Sequence, residues 1–313
     1  LLSELAVFSC SLLDASRFIV DGKRYAEDIN DRLLEASILL SEGVIYRRIG
    51  FLNKAHNSLF GGIRILEKGD DLNSIYYLSH AYGLLMISYM HESDFKAAWH
   101  VGHKRKLVLD LLKDKDKRGY LYDNQAGYYY SKMAYLHYLM GDKDKARECC
   151  DLFGHTKFSS SFRGAQEIND YLLAIGEYTE VVRNVESYFE EMDGRDTVNV
   201  FYSRALQQVG TAYESLGEYE KAFLSIKKWA VLQEIMRIDY ERNFLFETAD
   251  LFNALSNKEK LTEKDARIKY GNYFMILLVV LALLLFFRLV WNWFVIRGNN
   301  RKMTDLIIEN EDQ

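Results

Sequence analysis

Two pairs of side chains in this sequence are of the types that bind metal ions or perform redox chemistry. His100 and His103 are three residues apart and can share one helix face, and Cys149 and Cys150 are adjacent. A metal site made from both pairs would need the fold to bring two distant segments together, so solvated histidines are the simpler interpretation. The enzyme motifs GxxxxGK[ST], GxSxG, HExxH and CxxC do not occur. We therefore expect no enzyme, no catalytic residue, no cofactor and no metal.

The composition indicates a chain that is nearly all helix. The 313 residues include no proline, although average usage of about 5% would give about fifteen. Proline is excluded from helix interiors, so its absence fits helices with short connections. The net charge of −5 argues against general nucleic-acid binding, and three cysteines imply no disulfide framework.

The clearest internal pattern lies between residues 203 and 236. Gly210, Tyr213, Gly217, Tyr219 and Ala222 give the spacing small, aromatic, glycine, aromatic, alanine. This spacing resembles the tetratricopeptide repeat, a helix–turn–helix unit of about 34 residues. The small residues would let the two helices approach closely, and Gly217 would allow the turn between them.

Weaker copies of the pattern precede this unit, and their turn positions are Gly50, Ser93, Gly141 and Gly176. Serine takes the place of the turn glycine at Ser93. Successive turn positions, including Gly217, are 43, 48, 35 and 41 residues apart. The resemblance predicts an all-α fold: a tetratricopeptide-like α-α superhelix of about five irregular repeats over residues 35–236, preceded by N-terminal capping helices in residues 1–34. The alternative is a generic helical bundle.

A membrane anchor is expected after the repeats. Residues 274–287 read FMILLVVLALLLFF, and RLVWNWFVI follows. About 20 apolar residues can cross a bilayer as a helix. We predict a helical stalk in residues 237–270, a transmembrane helix in residues 271–296, and a tail in residues 297–313 that begins a coiled coil. The alternative for the stalk is an ordinary solvated helix, and a short solvated tail is the alternative for residues 297–313.

The boundaries of the predicted span follow from its aromatic residues. Tyr273 and Trp291 are eighteen steps apart, or about 27 Å along a helix, and Trp293 follows. These residues are expected at the two membrane interfaces, with Arg288 snorkelling toward the second one. A functional charge inside the membrane is the alternative for Arg288. The basic flanks leave the orientation open between an exported and a cytoplasmic repeat domain, and we favour an exported domain with a cytoplasmic tail.

The resemblance also implies a binding groove, lined by the first helix of each repeat. Its fixed positions project onto Arg47, Tyr128, Tyr135, Tyr138, Arg163, Gln166, Arg204 and Gln207. The same projection includes Ser37, Val44, His80, His91, Ser131, Asp170, Thr211 and Glu214. Tyrosine is a favoured anchor at interfaces, but packing between repeats is an equal alternative for these rings. Alanine at Tyr135 or Arg204 is expected to weaken partner binding without unfolding the chain.

The layout is similar to single-pass tetratricopeptide sensor and regulator proteins of Bacteroidetes. It implies a module in the bacterial inner membrane, with a periplasmic repeat domain that binds a peptide or protein partner and relays or localises it. A homodimer formed through the stalk and tail is a further expectation, and no nucleic acid is expected to bind this chain. A structural scaffold that does not signal is the alternative. An effector domain after Gln313 would favour signalling.

Overall fold

The computed structural model describes residues 19, 21–23, 25–26, 28–48, 50–192, 197–237, 269, 271, 273–280, 283 and 286–291. The chain divides into two compact units, residues 1–246 and 247–313. The described residues contain helices, turns and loops, and no strand occurs among them. The prediction of an all-α fold is therefore confirmed.

Ten helices of the first unit have both ends within the described residues. They are α1 (Arg32–Arg48), α2 (Leu52–Leu66), α3 (Leu72–His91), α4 (Phe95–Lys115), α5 (Tyr120–Leu139), α6 (Lys143–Gly154), α7 (Phe162–Ala165), α8 (Asn169–Ile175), α9 (Tyr178–Glu191) and α10 (Val200–Ser215). Two 3-10 turns, Phe158–Ser160 and Gln166–Ile168, flank α7. Residues 219–237 are also helical and are called α11. Helical residues between 19 and 29 precede α1.

The helices pair into successive hairpins. Helix α1 packs on α2, α3 on α4, α5 on α6, and α8 on α9. The first helices of the hairpins also contact one another in order: α1 with α3, α3 with α5, α5 with α8, and α8 with α10. We call the surface made by these first helices, together with α7 and the turn at residues 166–168, the first-helix surface.

The hairpin turns share one backbone geometry. At Gly141, φ is 86°, its N–H donates to Tyr138 O at 3.0 Å, and the next N–H, of Asp142, donates to His137 O at 2.9 Å. This pair of bonds is the Schellman motif, which requires a left-handed residue at its centre. The same two bonds and a positive φ occur at Gly50, Ser93, Gly176 and Gly217. All five turn positions expected from the sequence thus lie at hairpin turns, including the serine.

The apolar core has two parts that meet at α5. Buried side chains of α1 to α5, such as Leu85, Met86 and Met133, form the first part. Ala134, the next residue of α5, belongs to the second part, which extends to Ala222 in α11. Close helix approach supports both parts: a Cβ built on Gly43 would lie 2.7 Å from Leu59 Cγ, and one on Gly210 would lie 2.6 Å from Ile226 Cδ1.

The first helix of the fourth hairpin is broken. The carboxylate of Asp123 in α5 accepts the N–H groups of Lys157 and Phe158, both at 2.9 Å, and so ties the turn at residues 158–160 to α5. Ser161 then caps α7 by accepting the N–H of Gly164 at 3.0 Å. The projection of groove positions assumed one continuous helix here. The structure instead places its three positions on α7, on a 3-10 turn and on α8.

In the second unit, residues 273–280 and 286–291 are helical, and Tyr273, Arg288 and Trp291 are exposed. A search of the described residues finds no helix with both the length and the apolar character to span a membrane. Trp293, the predicted tail, and residues 238–268 and 270 of the predicted stalk lie outside the described residues.

Candidate functional site: the first-helix surface

An ion-pair network, with one buried and one half-buried pair, joins three first helices. Lys132 of α5 contacts Glu167 Oε2 through Nζ at 2.6 Å, and each side chain is only 8% exposed. Arg204 of α10 lies 3.5 Å from the same carboxylate and pairs with Asp170 of α8. Two cations thus face two carboxylates, and the broken fourth hairpin is fastened to its neighbours on both sides.

Amide side chains extend the network away from the surface. Gln208 donates to Asp170 Oδ1 at 2.7 Å, and its carbonyl accepts from Asn169 Nδ2 at 3.3 Å. Asn169 in turn accepts from Asn184 Nδ2 of α9 at 2.9 Å. Because buried polar groups are costly unless they are hydrogen-bonded, this chain of bonds fixes the relative positions of α8, α9 and α10.

The charged groups of the network shift one another's pKa values. Burial alone would raise the pKa of Glu167, but Lys132 and Arg204 outweigh it and hold that pKa below its ordinary value. The pKa of Asp170 is lowered in the same way, mainly by Arg204. The two carboxylates raise the pKa of Arg204 despite its burial. These shifts keep Glu167, Asp170 and Arg204 in their charged forms at neutral pH.

The predicted groove residues of the last two hairpins fall into different environments. Arg204 belongs to the ion-pair network, and Gln166 is only 8% exposed. Arg163 is exposed, with its guanidinium 4.9 Å from the centre of the Phe201 ring. Gln207 is exposed, whereas the neighbouring residue, Gln208, enters the network. A small pocket lies at this point, and it is lined by Arg163, Gln166, Glu167, Tyr188, Phe201, Arg204 and Gln208.

The three predicted tyrosines of α5 are all partly buried, but they differ in their contacts. Tyr128 packs against Phe158 with ring centres 4.5 Å apart, and Tyr138 meets Tyr171 at 6.1 Å in an edge-on contact. Burial raises the pKa of Tyr128 to about 12. Within the described residues, Tyr135 makes no ring contact and no hydrogen bond. The hydroxyls of Tyr128 and Tyr138 also make no hydrogen bond there, so Tyr135 differs from them in having no ring contact.

Arg47 and His91 lie at the carboxyl ends of α1 and α3. The Nη1 atom of Arg47 is buried without a hydrogen-bond partner among the described residues. Partial desolvation, then the cations of Arg47 and Arg204, lower the pKa of His91. Charges on α1, α5, α8 and α10 thus act on His91, and among them Asp170 opposes the decrease in its pKa.

Arg105 was missed by the projection because it lies on α4, a second helix. Its side chain reaches between α3 and α5: a Cβ on Gly83 would lie 2.8 Å from its Nη1, and its Nη2 donates to Gln125 Oε1 at 3.0 Å. It is 2% exposed, and its guanidinium lies 6.0 Å from the centre of the Tyr129 ring. Burial lowers the pKa of Arg105 to about 10. The pKa of His80 is lowered to about 4, first by burial of the imidazole and then by the charge of Arg105. No local sequence signal pairs Gly83 with Arg105, because the two residues lie 22 positions apart on different helices.

Metal-binding side chains do not come together in the described part of the chain, where no cluster of three or more occurs. His100 and His103 contact the Trp99 ring, with ring centres 5.2 and 3.8 Å away. Burial raises the pKa of the Cys149 thiol to about 12. A thiol with so high a pKa is a poor nucleophile at neutral pH.

Comparisons with known proteins leave the family of this chain open. No family model and no curated protein matches it. Among solved structures, the crystal structure of BtubC (BKLC) from P. vanneervenii is similar, with 14% identity, 71% of this chain and 89% of that chain covered, and a TM-score of 0.45. The helical architecture described above rests on the structure of this chain and not on that similarity.

Proposed function

We propose that this chain is a membrane-anchored helical-repeat module of tetratricopeptide type, which binds a peptide or protein partner on its first-helix surface. The repeated Schellman turns and the stacked hairpins support the repeat assignment. Stacked hairpins commonly offer an extended surface to partner segments. The module then relays partner binding across the membrane or localises the partner there.

The observation that carries the binding role is the state of Tyr135. This side chain is partly buried on the first-helix surface, near the charges of Asp170 and Arg204. Unlike Tyr128 and Tyr138, it contacts no other ring among the described residues, and its hydroxyl has no hydrogen-bond partner there. A tyrosine ring that offers both an apolar face and a free hydroxyl is a common anchor in protein interfaces.

The membrane role rests on the amino-acid sequence of residues 274–296. Its apolar run and the aromatic residues Tyr273, Trp291 and Trp293 have the length and order of a single-pass anchor. Reporter fusions at each end, scored for periplasmic or cytoplasmic activity, test both the anchor and the proposed orientation. Equal cytoplasmic signals from both ends would contradict a single crossing.

The binding role is tested by measuring how much partner co-purifies with defined variants of the detergent-extracted chain. Tyr135→Ala and Gln207→Ala are expected to reduce recovery several-fold, because both side chains reach solvent on the first-helix surface. Leu107→Ala is the control, since Leu107 is 68% exposed on the second helix α4. Equal losses for all three variants, or no loss for Tyr135→Ala, would reject the proposed surface.

Arg204 is unsuitable for that test. Its guanidinium pairs with Asp170 and Glu167, so Arg204→Ala removes a structural contact together with any binding contact. The expectation that this substitution leaves the fold unharmed conflicts with the structure.

The alternative function, a scaffold that does not signal, predicts the same loss of partner in these variants. It differs from a sensor only in having no signalling output, and an effector sequence after residue 313 would supply such an output.

A further inference from the structure

Helix α11, the last described helix of the first unit, exposes apolar side chains along one of its faces. Leu224, Val231 and Ile235 are 49%, 55% and 43% exposed. A different face of α11 carries Ala222 and Leu232, which are buried, and Ala222 belongs to the second part of the core. The end repeat of a solenoid needs a polar outer face to stay soluble. The apolar face of α11 therefore requires a cover.

The exposed residues of this face follow the seven-residue spacing of a coiled-coil seam. In the sequence, the seam positions hold Leu224, Lys228, Val231, Ile235, Ile238, Arg242, Leu245, Ala249 and Phe252. Seven of these nine side chains are apolar, and the positions cover four heptads. Three to four heptads are typical of a coiled coil, and a lysine at a seam position helps to fix the register at some cost in stability. The spacing thus indicates a helix of the same kind as the occupant of this face.

The sequence after α11 does not indicate that the chain turns back to cover this face itself. The five hairpin turns each place a left-handed residue between two helices, and four of these five residues are glycine. Residues 231–270 contain no glycine and no proline, so they lack the usual signals that end a helix and reverse the chain. A second copy of the chain, which carries the same seam, is therefore the better occupant.

A second apolar stripe of α11 lies outside this seam and differs from it in its contacts. Tyr219, Phe223 and Ile226 form the stripe, and they take outer positions of the same heptads. Ile226 lies close to α10, since a Cβ built on Gly210 would be 2.6 Å from Ile226 Cδ1. Phe223 is 66% exposed, so it provides a matched control: an exposed apolar residue on the same helix but away from the seam.

We propose that α11 of one chain packs in parallel against α11 of a second copy, along the seam of Leu224, Val231 and Ile235. The parallel direction rests on the proposed membrane anchor, because two chains that enter one bilayer run in the same direction. Each seam residue then meets its own counterpart across a two-fold axis. The inference extends the dimer expected through the stalk and tail into the last hairpin of the repeat domain.

The experiment is disulfide crosslinking of the full chain in native membranes under mild oxidation. The three native cysteines are first replaced by serine, so that only an introduced cysteine reacts. Leu224→Cys and Val231→Cys are the test variants, and Phe223→Cys is the control on the outer stripe. Circular dichroism melts of the purified chains establish that each variant is folded, as expected for substitutions at exposed positions.

Each test variant is expected to give about fivefold more crosslinked dimer, at twice the chain mass of 36.6 kDa, than Phe223→Cys, because cysteines bond only when their Cα atoms lie within about 7 Å. Equal yields from all three variants, or no dimer from either seam position, would overturn the inference. Crosslinks that join Leu224→Cys of one copy to Ile235→Cys of another, without self-crosslinks, would show an antiparallel pair and overturn it too. If no seam crosslink forms while Tyr135→Ala still reduces partner recovery, the proposed binding function stands and the dimer alone is rejected.

Discussion

The ion pair between Lys132 and Glu167 offers the sharpest test of how the hairpins are held together. Both side chains are 8% exposed, and Nζ and Oε2 are 2.6 Å apart. Lys132→Met would leave the Glu167 carboxylate buried, with Arg204 at 3.5 Å as its remaining cation. Removing one member of a buried pair costs about 3–5 kcal/mol. Because Arg204 persists, we expect a loss near the lower end, about 3 kcal/mol.

The second substitution in the cycle is Glu167→Gln. In the double variant no unpaired charge remains on the pair, so its loss should be smaller than the sum of the two single losses, with a coupling of about 1–3 kcal/mol. Urea unfolding of the full chain in detergent, followed by circular dichroism, gives the free energy of unfolding for each variant. Lys106→Met is the matched control: Lys106 pairs with Asp110 on the exposed side of α4, and such a pair contributes at most about 1 kcal/mol.

Two results would refute this reasoning. The free energy of unfolding of Lys132→Met could lie within about 0.5 kcal/mol of the wild-type value. That result would show that the buried pair makes no net contribution to stability. The losses of the two single variants could also add fully in the double variant. Additive losses would mean that Lys132 and Glu167 do not interact in the folded chain.

Three further predictions follow from the turns, the network and the helix contacts. Ser93 and Gly141 both have a left-handed backbone, with φ of 60° and 86°. Ser93→Gly should therefore stabilise the chain by up to about 1 kcal/mol, whereas Gly141→Ala should destabilise it by about 1–2 kcal/mol. Equal effects of the two variants on urea unfolding would contradict the left-handed turns. The carboxylates of Glu167 and Asp170 have lowered pKa values in the folded chain. The free energy by which they stabilise the fold is therefore present above their unfolded-state pKa values near 4, and it should be lost as the pH falls below those values. An unfolding midpoint that does not change from pH 5 to pH 2.5 would refute this. A Cβ on Gly127 would lie 2.4 Å from Phe158 Cδ1, whereas one on Gly154 meets nothing within 4 Å. Gly127→Ala should therefore destabilise the chain by about 1–3 kcal/mol, and Gly154→Ala should be neutral or stabilising. Thermal melts that rank the two variants in the reverse order would contradict the packing of Gly127 against Phe158.

The turn positions were accessible from the sequence because glycine has a local meaning there. A left-handed residue is needed at the end of each first helix, and glycine adopts that conformation without strain. Even the exception, Ser93, was found from the repeat pattern, and its φ of 60° fits the same turn. All-α architecture was accessible for a similar reason, since a chain of this length without proline favours helices.

The side-chain environments were not accessible, because they depend on partners distant in sequence. Glu167 meets a lysine 35 residues earlier and an arginine 37 residues later. Repeat spacing identified Arg204 and Gln207 as ligand-facing, whereas the structure pairs Arg204 with acids and buries Gln208 instead. The break in the fourth hairpin follows from the Asp123 contacts to the turn at residues 158–160, which no local pattern reveals.

Site-specific photo-crosslinking in native membranes tests the central claim, partner binding at the first-helix surface, most directly. A benzophenone amino acid replaces Tyr135 in one sample and Leu107 in the other, and adducts are identified by mass spectrometry. Tyr135 is on the first helix α5, and Leu107 is 68% exposed on the second helix α4. The account predicts a discrete partner adduct from position 135 that is absent from position 107. The same adducts from both positions, or a discrete adduct from position 107 alone, would contradict it.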